Sequence, residues 1–196
     1  YINDKNSSTI REFITVTLAG YQHKKGKIGY NGFRQDTFIP GKTIKCEAKP
    51  KNINTEEFEK YSRGERKTPP ARLNGGGNFT DYTPSRLKKD IKEQDLNMLA
   101  SGFIDGKLIY ILEFPFNCPD FVKNLKMQIK KWQAKLKGSQ SIKGQFLRSA
   151  TFDYKNFIEC PKLKIVFLLN VKELPKYRKY MANGFYEFLL KNAKNE

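Results

Sequence analysis

Asp36, Glu47 and Lys49, in "QDTFIPGKTIKCEAKP" (35–50), are the side chains of this sequence best placed to do chemistry together. Pro40-Gly41 suits the two central positions of a type II turn. The flanking segments are therefore expected to pair as a hairpin, with Asp36 opposite Lys45 and diagonal to Glu47. Side chains alternate across a strand. Thr43, Lys45, Glu47 and Lys49 then share one face, and Ile44, Cys46 and Ala48 the other. Diagonal neighbours lie ~7–8 Å apart, so the two carboxylates could meet on one cation.

Phosphodiester hydrolysis needs such a set. Two carboxylates hold one or two Mg2+ ions, which prefer oxygen ligands and keep several waters. The metal polarises the scissile phosphate and lowers the pKa of a bound water. A lysine beside it orients that water or offsets charge developing on the phosphate. The cation also inverts the local sign, so acids in the site do not repel DNA. The expected cofactor is Mg2+, with Mn2+ as a substitute.

Acid-x-Lys is a short pattern. At this composition it should occur about three times by chance. Five copies occur, ending at Lys49, Lys67, Lys92, Lys107 and Lys155. Glu65 falls in a polar loop, Asp90 on an expected helix, Asp105 in a turn, and Asp153 lacks an acid on a partner strand. Only Glu47 combines an alternating strand, a preceding turn and an upstream acid. The competing reading is an exposed strand face with cross-strand ion pairs. "PGKT" (40–43) has the tail of a phosphate-binding loop, but Asp36 stands where its first glycine would be.

These residues resemble the PD-(D/E)xK nuclease signature, an acid on one strand followed by acid-x-lysine on the next. Asp36 matches the first acid, and Glu47 with Lys49 the second half; "EAK" is similar to several type II restriction endonucleases. The resemblance spans about residues 8–115. It implies a restriction-endonuclease-like core, a Mg2+-dependent endonuclease acting on double-stranded DNA, and a bacterial, cytoplasmic setting. It further implies that the metal takes the backbone carbonyl of Ala48 and that Glu12, on the first helix, is a candidate extra carboxylate.

The wider composition agrees with a polyanion partner. Lys+Arg number 37 against 20 for Asp+Glu, a net charge of +17, and such a surface attracts nucleic acid. No apolar run is long enough to span a membrane. Cys46, Cys118 and Cys160 are scattered, and His23 is the only histidine, so zinc chemistry and a Cys–His nucleophile are not expected. Reduced thiols fit the cytosol. His23 reads as a surface or capping residue.

The elements that must position the site follow from periodicity. A helix is expected over 8–21, with Ile10, Phe13, Ile14, Thr17 and Leu18 inward. Short strands with Gly turns fill 23–49. A long polar stretch covers 50–83, with a short helix near Thr55–Tyr61. A helix opening at Pro84 carries Leu87, Ile91, Met98 and Leu99 inward. "GFIDGKLIYILEFPF" (102–116) predicts strand, Asp-Gly turn, strand. A basic helix covers 119–137, a buried strand 161–170, and a last helix 175–193. The fold class is α/β, with a mixed central sheet flanked by helices. One nuclease domain spans 1–196, with its core at about 8–115 and a basic elaboration at about 116–196.

Candidate DNA contacts cluster after the motif. Lys51, Arg63, Arg66, Arg72, Asn74 and Arg86 surround a Gly-rich loop suited to follow a duplex. Lys130 and Lys131 offer phosphate contacts from the basic helix. Cutting both strands often calls for two active sites, so a homodimer is a candidate assembly. The alternative function is a non-catalytic nucleic-acid-binding domain of a larger complex.

Overall fold

Thr43–Ile53 forms a single strand of eleven residues, and it is the axis of the fold. The chain's structure, a computed structural model, describes residues 8–24, 29–137 and 147–193. In chain order the elements are α1 (Ser8–Leu18), β1 (Gln22–His23), β2 (Gly32–Gln35), β3 (Thr43–Ile53), α2 (Thr55–Ser62), β4 (Gly77–Tyr82), α3 (Pro84–Lys92), β5 (Leu96–Ile104), β6 (Lys107–Pro115), α4 (Pro119–Lys137), β7 (Leu147–Phe152), β8 (Lys164–Leu168) and α5 (Asn183–Asn192). Six strands form a mixed sheet in the order β1-β2-β3-β5-β6-β8, and β4 pairs with β7 in a second, two-stranded sheet. Among the named strand pairs only β3 and β5 run parallel. The fold is α/β with a mixed central sheet flanked by helices.

β3 meets β2 only from Thr43 to Cys46, whereas it meets β5 from Lys45 to Ile53. Beyond Cys46 the β2 side of β3 is therefore open. Alternation decides what each face carries. Cys46, Ala48 and Leu99 face α1 and pack with Val16, Ala19 and Tyr21. Met98, Ala100, Leu112 and Phe114 point the other way, into a larger core shared with β4, β7, α3, α4 and α5. There Phe114 stacks on Phe157 at 4.1 Å between ring centres. β8 adds to the β6 edge, and residues from Ile53 to Leu189 share that core. The C-terminal segment is thus built into the sheet.

Several expectations are corrected. α1 turns a different face inward. Arg11, Thr15 and Val16 are buried, while Ile10, Phe13 and Leu18 are exposed. The Thr15 hydroxyl lies 2.6 Å from Ser101 Oγ on β5, which anchors the polar face of the helix to the sheet. Gly32 lets the helix come close, since a Cβ there would sit 2.6 Å from Val16. The helix from Pro84 ends at Lys92, so Met98 and Leu99 lie on strand β5 instead. The expected 175–193 helix splits into a 3-10 segment at Leu174–Tyr180 and α5. β8 is a half-buried strand rather than a fully buried one. Asp105-Gly106 does turn the β5–β6 hairpin, both residues having positive φ. No helix among the described residues is long and apolar enough to cross a membrane.

On the α1 face Glu113 is 3% exposed. One of its oxygens, Oε1, accepts from Tyr21 (2.7 Å), Arg34 (2.8 Å) and Asn97 (2.7 Å). Burial, and then the Glu113 charge, push the Tyr21 phenol up. Removing the carboxylate would strand these donors. Glu113→Ala is expected to lower stability by about 3 kcal/mol or more in urea unfolding; an unchanged midpoint would contradict the network.

Candidate active site at Glu47

Glu47 lies just past the point where β2 leaves β3. There the Asn31 N–H donates to the Cys46 carbonyl (2.9 Å), and the Asn31 Oδ1 accepts the Ala48 N–H (2.7 Å). This pair of bonds closes the hairpin and frees the next stretch of β3. A cleft of about 1110 Å3 opens over it, between the first turns of α1 and α3.

Glu47 is only 5% exposed. Its Oε1 accepts from Lys49 Nζ at 2.7 Å and from Arg86 Nη2 at 3.0 Å. Its Oε2 is buried with no hydrogen-bond partner among the described residues. Aromatic faces steady both cations: Lys49 Nζ stands 4.7 Å from the centre of Phe79, and the Arg86 guanidinium 5.4 Å from that of Tyr82. Such contacts favour a cation held over the ring. β4 passes so close that a Cβ on Gly77 would sit 2.7 Å from Lys49 Cβ.

A second carboxylate enters from α3. Thr83 caps that helix through the Arg86 N–H, Pro84 fills its first turn, and Leu87 and Asp90 turn inward. Asp90 is 3% exposed. It accepts from the Tyr82 hydroxyl at 2.8 Å and the Tyr30 hydroxyl at 3.2 Å, and Arg86 Nε lies 3.6 Å away. Burial raises its pKa, and the Glu47 charge adds to the rise; the Tyr82 hydrogen bond and Arg86 oppose it. Burial also raises Tyr30 and Tyr82, followed by the Asp90 charge. His23 and Glu12 form a further pair on the cleft wall at 2.9 Å. His23 is thus a nearly buried partner of Glu12, not a surface cap.

Asp36 does not join Glu47. Pro40-Gly41 does make a turn, with Gly41 at φ +77° and the Lys42 N–H on the Ile39 carbonyl. However, the ladder does not resume at Ile39. The Asp36 Oδ1 accepts the N–H groups of Phe38 (2.8 Å) and Ile39 (3.2 Å), closing a wider loop, and the Asp36 N–H donates to Lys42 O. Lys45 consequently faces Phe33, not Asp36. An odd shift in register moves a side chain to the other face of a sheet, so Asp36 falls in line with the Cys46 face. The Phe38 N–H chiefly, with Ile39, Lys42 and Arg34, holds its carboxyl below the ordinary range, as suits a loop-closing acid.

Of the other expected residues, Arg86 reaches the site, and Glu12 lines the cleft. Ala48 is fixed through its N–H, with its side chain on the α1 face. Lys51 turns to the loop after α2, donating to Arg72 O and Asn74 Oδ1, and burial lowers its pKa. Asn74 in turn accepts the Gly76 N–H. Arg63 is paired with Glu65 and Arg66 with Glu57. Arg72, Lys130 and Lys131 are exposed and stand away from the cleft lining. The sequence reading missed Asp90, Tyr30, Tyr82 and Asn31. The one available signal was Arg86 and Asp90 at helical i, i+4 spacing.

No family model matches the chain, and no curated protein matches it.

Among the described residues no group of three or more His, Cys, Asp or Glu could hold a metal. Mg2+ asks for less: one or two carboxylates, with waters and substrate phosphate completing its shell. Glu47, with an unpartnered buried oxygen, and Asp90, across Arg86 from it, meet that need.

The close pass of β4 gives a direct test. Gly77→Ala is expected to push against Lys49 and to cost about 1–3 kcal/mol in urea unfolding. Unaltered stability would show that Lys49 is not clamped there.

Proposed function

We propose that this chain is a Mg2+-dependent endonuclease that hydrolyses phosphodiester bonds of double-stranded DNA, of the restriction type. The observation that carries the reading is the buried Glu47, with Lys49 on one oxygen and no partner for the other among the described residues, lining a large cleft. Glu47 and Asp90 would hold the cation, which supplies Lewis-acid polarisation of the phosphate when bound. The Lys49 ammonium, two residues from Glu47 on the same strand face, orients an attacking water or offsets charge growing on the phosphate. Arg86 and Lys89 on the cleft wall offer contacts to phosphate oxygens. The surplus of 17 positive charges draws DNA to the surface. Such an enzyme would work in the bacterial cytoplasm, and cutting both strands would bring two copies together.

One observation favours a second reading, a non-catalytic DNA-binding domain. Lys49, Arg86, Glu47 and Asp90 pair with one another as a local ion network, and such networks also serve structure alone.

Supercoiled plasmid separates the two. With Mg2+, wild type is expected to nick and linearise it. Glu47→Ala and EDTA should abolish the activity, and Lys49→Ala should reduce it by about 100-fold or more. Asp36→Ala should cut at close to the wild-type rate. Cleavage that survives Glu47→Ala would overturn the site. Salt-sensitive binding with no cleavage across varied substrates would favour the binding domain.

A further inference from the structure

Arg86 occupies an unusual place. Its guanidinium spans two nearly buried carboxylates from different elements, Glu47 on β3 and Asp90 one turn along its own helix. Its side chain is 37% exposed, against 6% and 4% for theirs, so it is the part of the trio that solvent in the cleft can reach. It also duplicates a partner that Glu47 already has: Lys49 and Arg86 share Oε1, while Oε2 has none among the described residues. Two buried carboxylates that share one arginine repel unless a cation lies between them. The guanidinium meets that need, but a divalent cation would meet it with twice the charge. Both cannot sit there, since like charges at such range oppose each other strongly. A planar guanidinium has a second option, because its fork matches phosphate oxygens.

We infer that Arg86 is a displaceable internal counter-ion: it holds Glu47 and Asp90 in the resting protein, and a DNA phosphate in the cleft draws it off, admitting a divalent cation between them. The inference rests on the nuclease reading for the identity of what displaces the arginine. Arg86 acts here as a positioning residue for the carboxylates, and DNA and metal bind cooperatively through it.

Calorimetric titration of the full chain tests this without turnover. Ca2+, which occupies oxygen sites, is titrated into wild type, Arg86→Gln and Arg86→Lys, each with and without a short duplex. In the absence of DNA, Arg86→Gln should bind Ca2+ at least about tenfold more tightly than wild type, because the competing charge is gone. Adding duplex should tighten Ca2+ binding to wild type and do little for Arg86→Gln. Arg86→Lys, whose single ammonium cannot span both carboxylates, should fall between, and it carries the comparison should Arg86→Gln fail to fold. Equal or weaker Ca2+ binding by the variants, with wild type still binding Ca2+ and cleaving DNA in Mg2+, would overturn the counter-ion and leave the nuclease reading standing. No Ca2+ bound by any protein, with or without duplex, would overturn both.

Discussion

Glu47 carries a carboxylate into the side of a sheet whose neighbouring positions, Cys46, Ala48 and Met98, are apolar and buried. A carboxylate there is unfavourable unless it is paired and hydrogen-bonded. Much of the surrounding structure answers that requirement. Lys49 returns along the same strand face, Arg86 reaches over from α3, and Phe79 lies beneath both cations. Gly77 is small because β4 must pass over Lys49. With Arg86 fixed on Glu47, the next turn of α3 delivers Asp90 to the same place, where Tyr82 and Tyr30 receive it. The site is therefore a strand-to-helix assembly, not one confined to a hairpin.

Much of the framework was legible in the sequence. The alternation of "TIKCEAK" put Glu47 and Lys49 on one face and Cys46 and Ala48 on the other, because period-two patterning reflects a strand with two unlike sides. The Asp105-Gly106 turn and the Pro119–Lys137 helix were readable for similar local reasons. Arg86 was marked for its charge, although as a DNA contact alone.

What was not legible depended on longer-range choices. Hairpin register goes with two hydrogen bonds to one side chain: Asp36 accepts from Phe38 and Ile39, closing a wider loop that leaves this acid on the other face. The inward face of α1 was misjudged because Thr15 pairs with Ser101, 86 residues away, and no periodicity signals such a bond. Asp90 looked like a chance acid on a helix, since nothing local links it to Glu47, Tyr30 or Tyr82. Burying an acid is decided by partners that only the folded chain brings together.

Glu47 and Asp90 are proposed to form one cation site, with Asp36 outside it. Crystals of the chain grown with a short duplex and Mn2+, measured for anomalous scattering at the manganese edge, test it most directly. A peak is expected within coordinating distance of the Glu47 and Asp90 carboxylates, with the Arg86 guanidinium turned toward a phosphate. A peak at Asp36, or Arg86 still bridging the two acids with DNA in the cleft and no manganese between them, would contradict it.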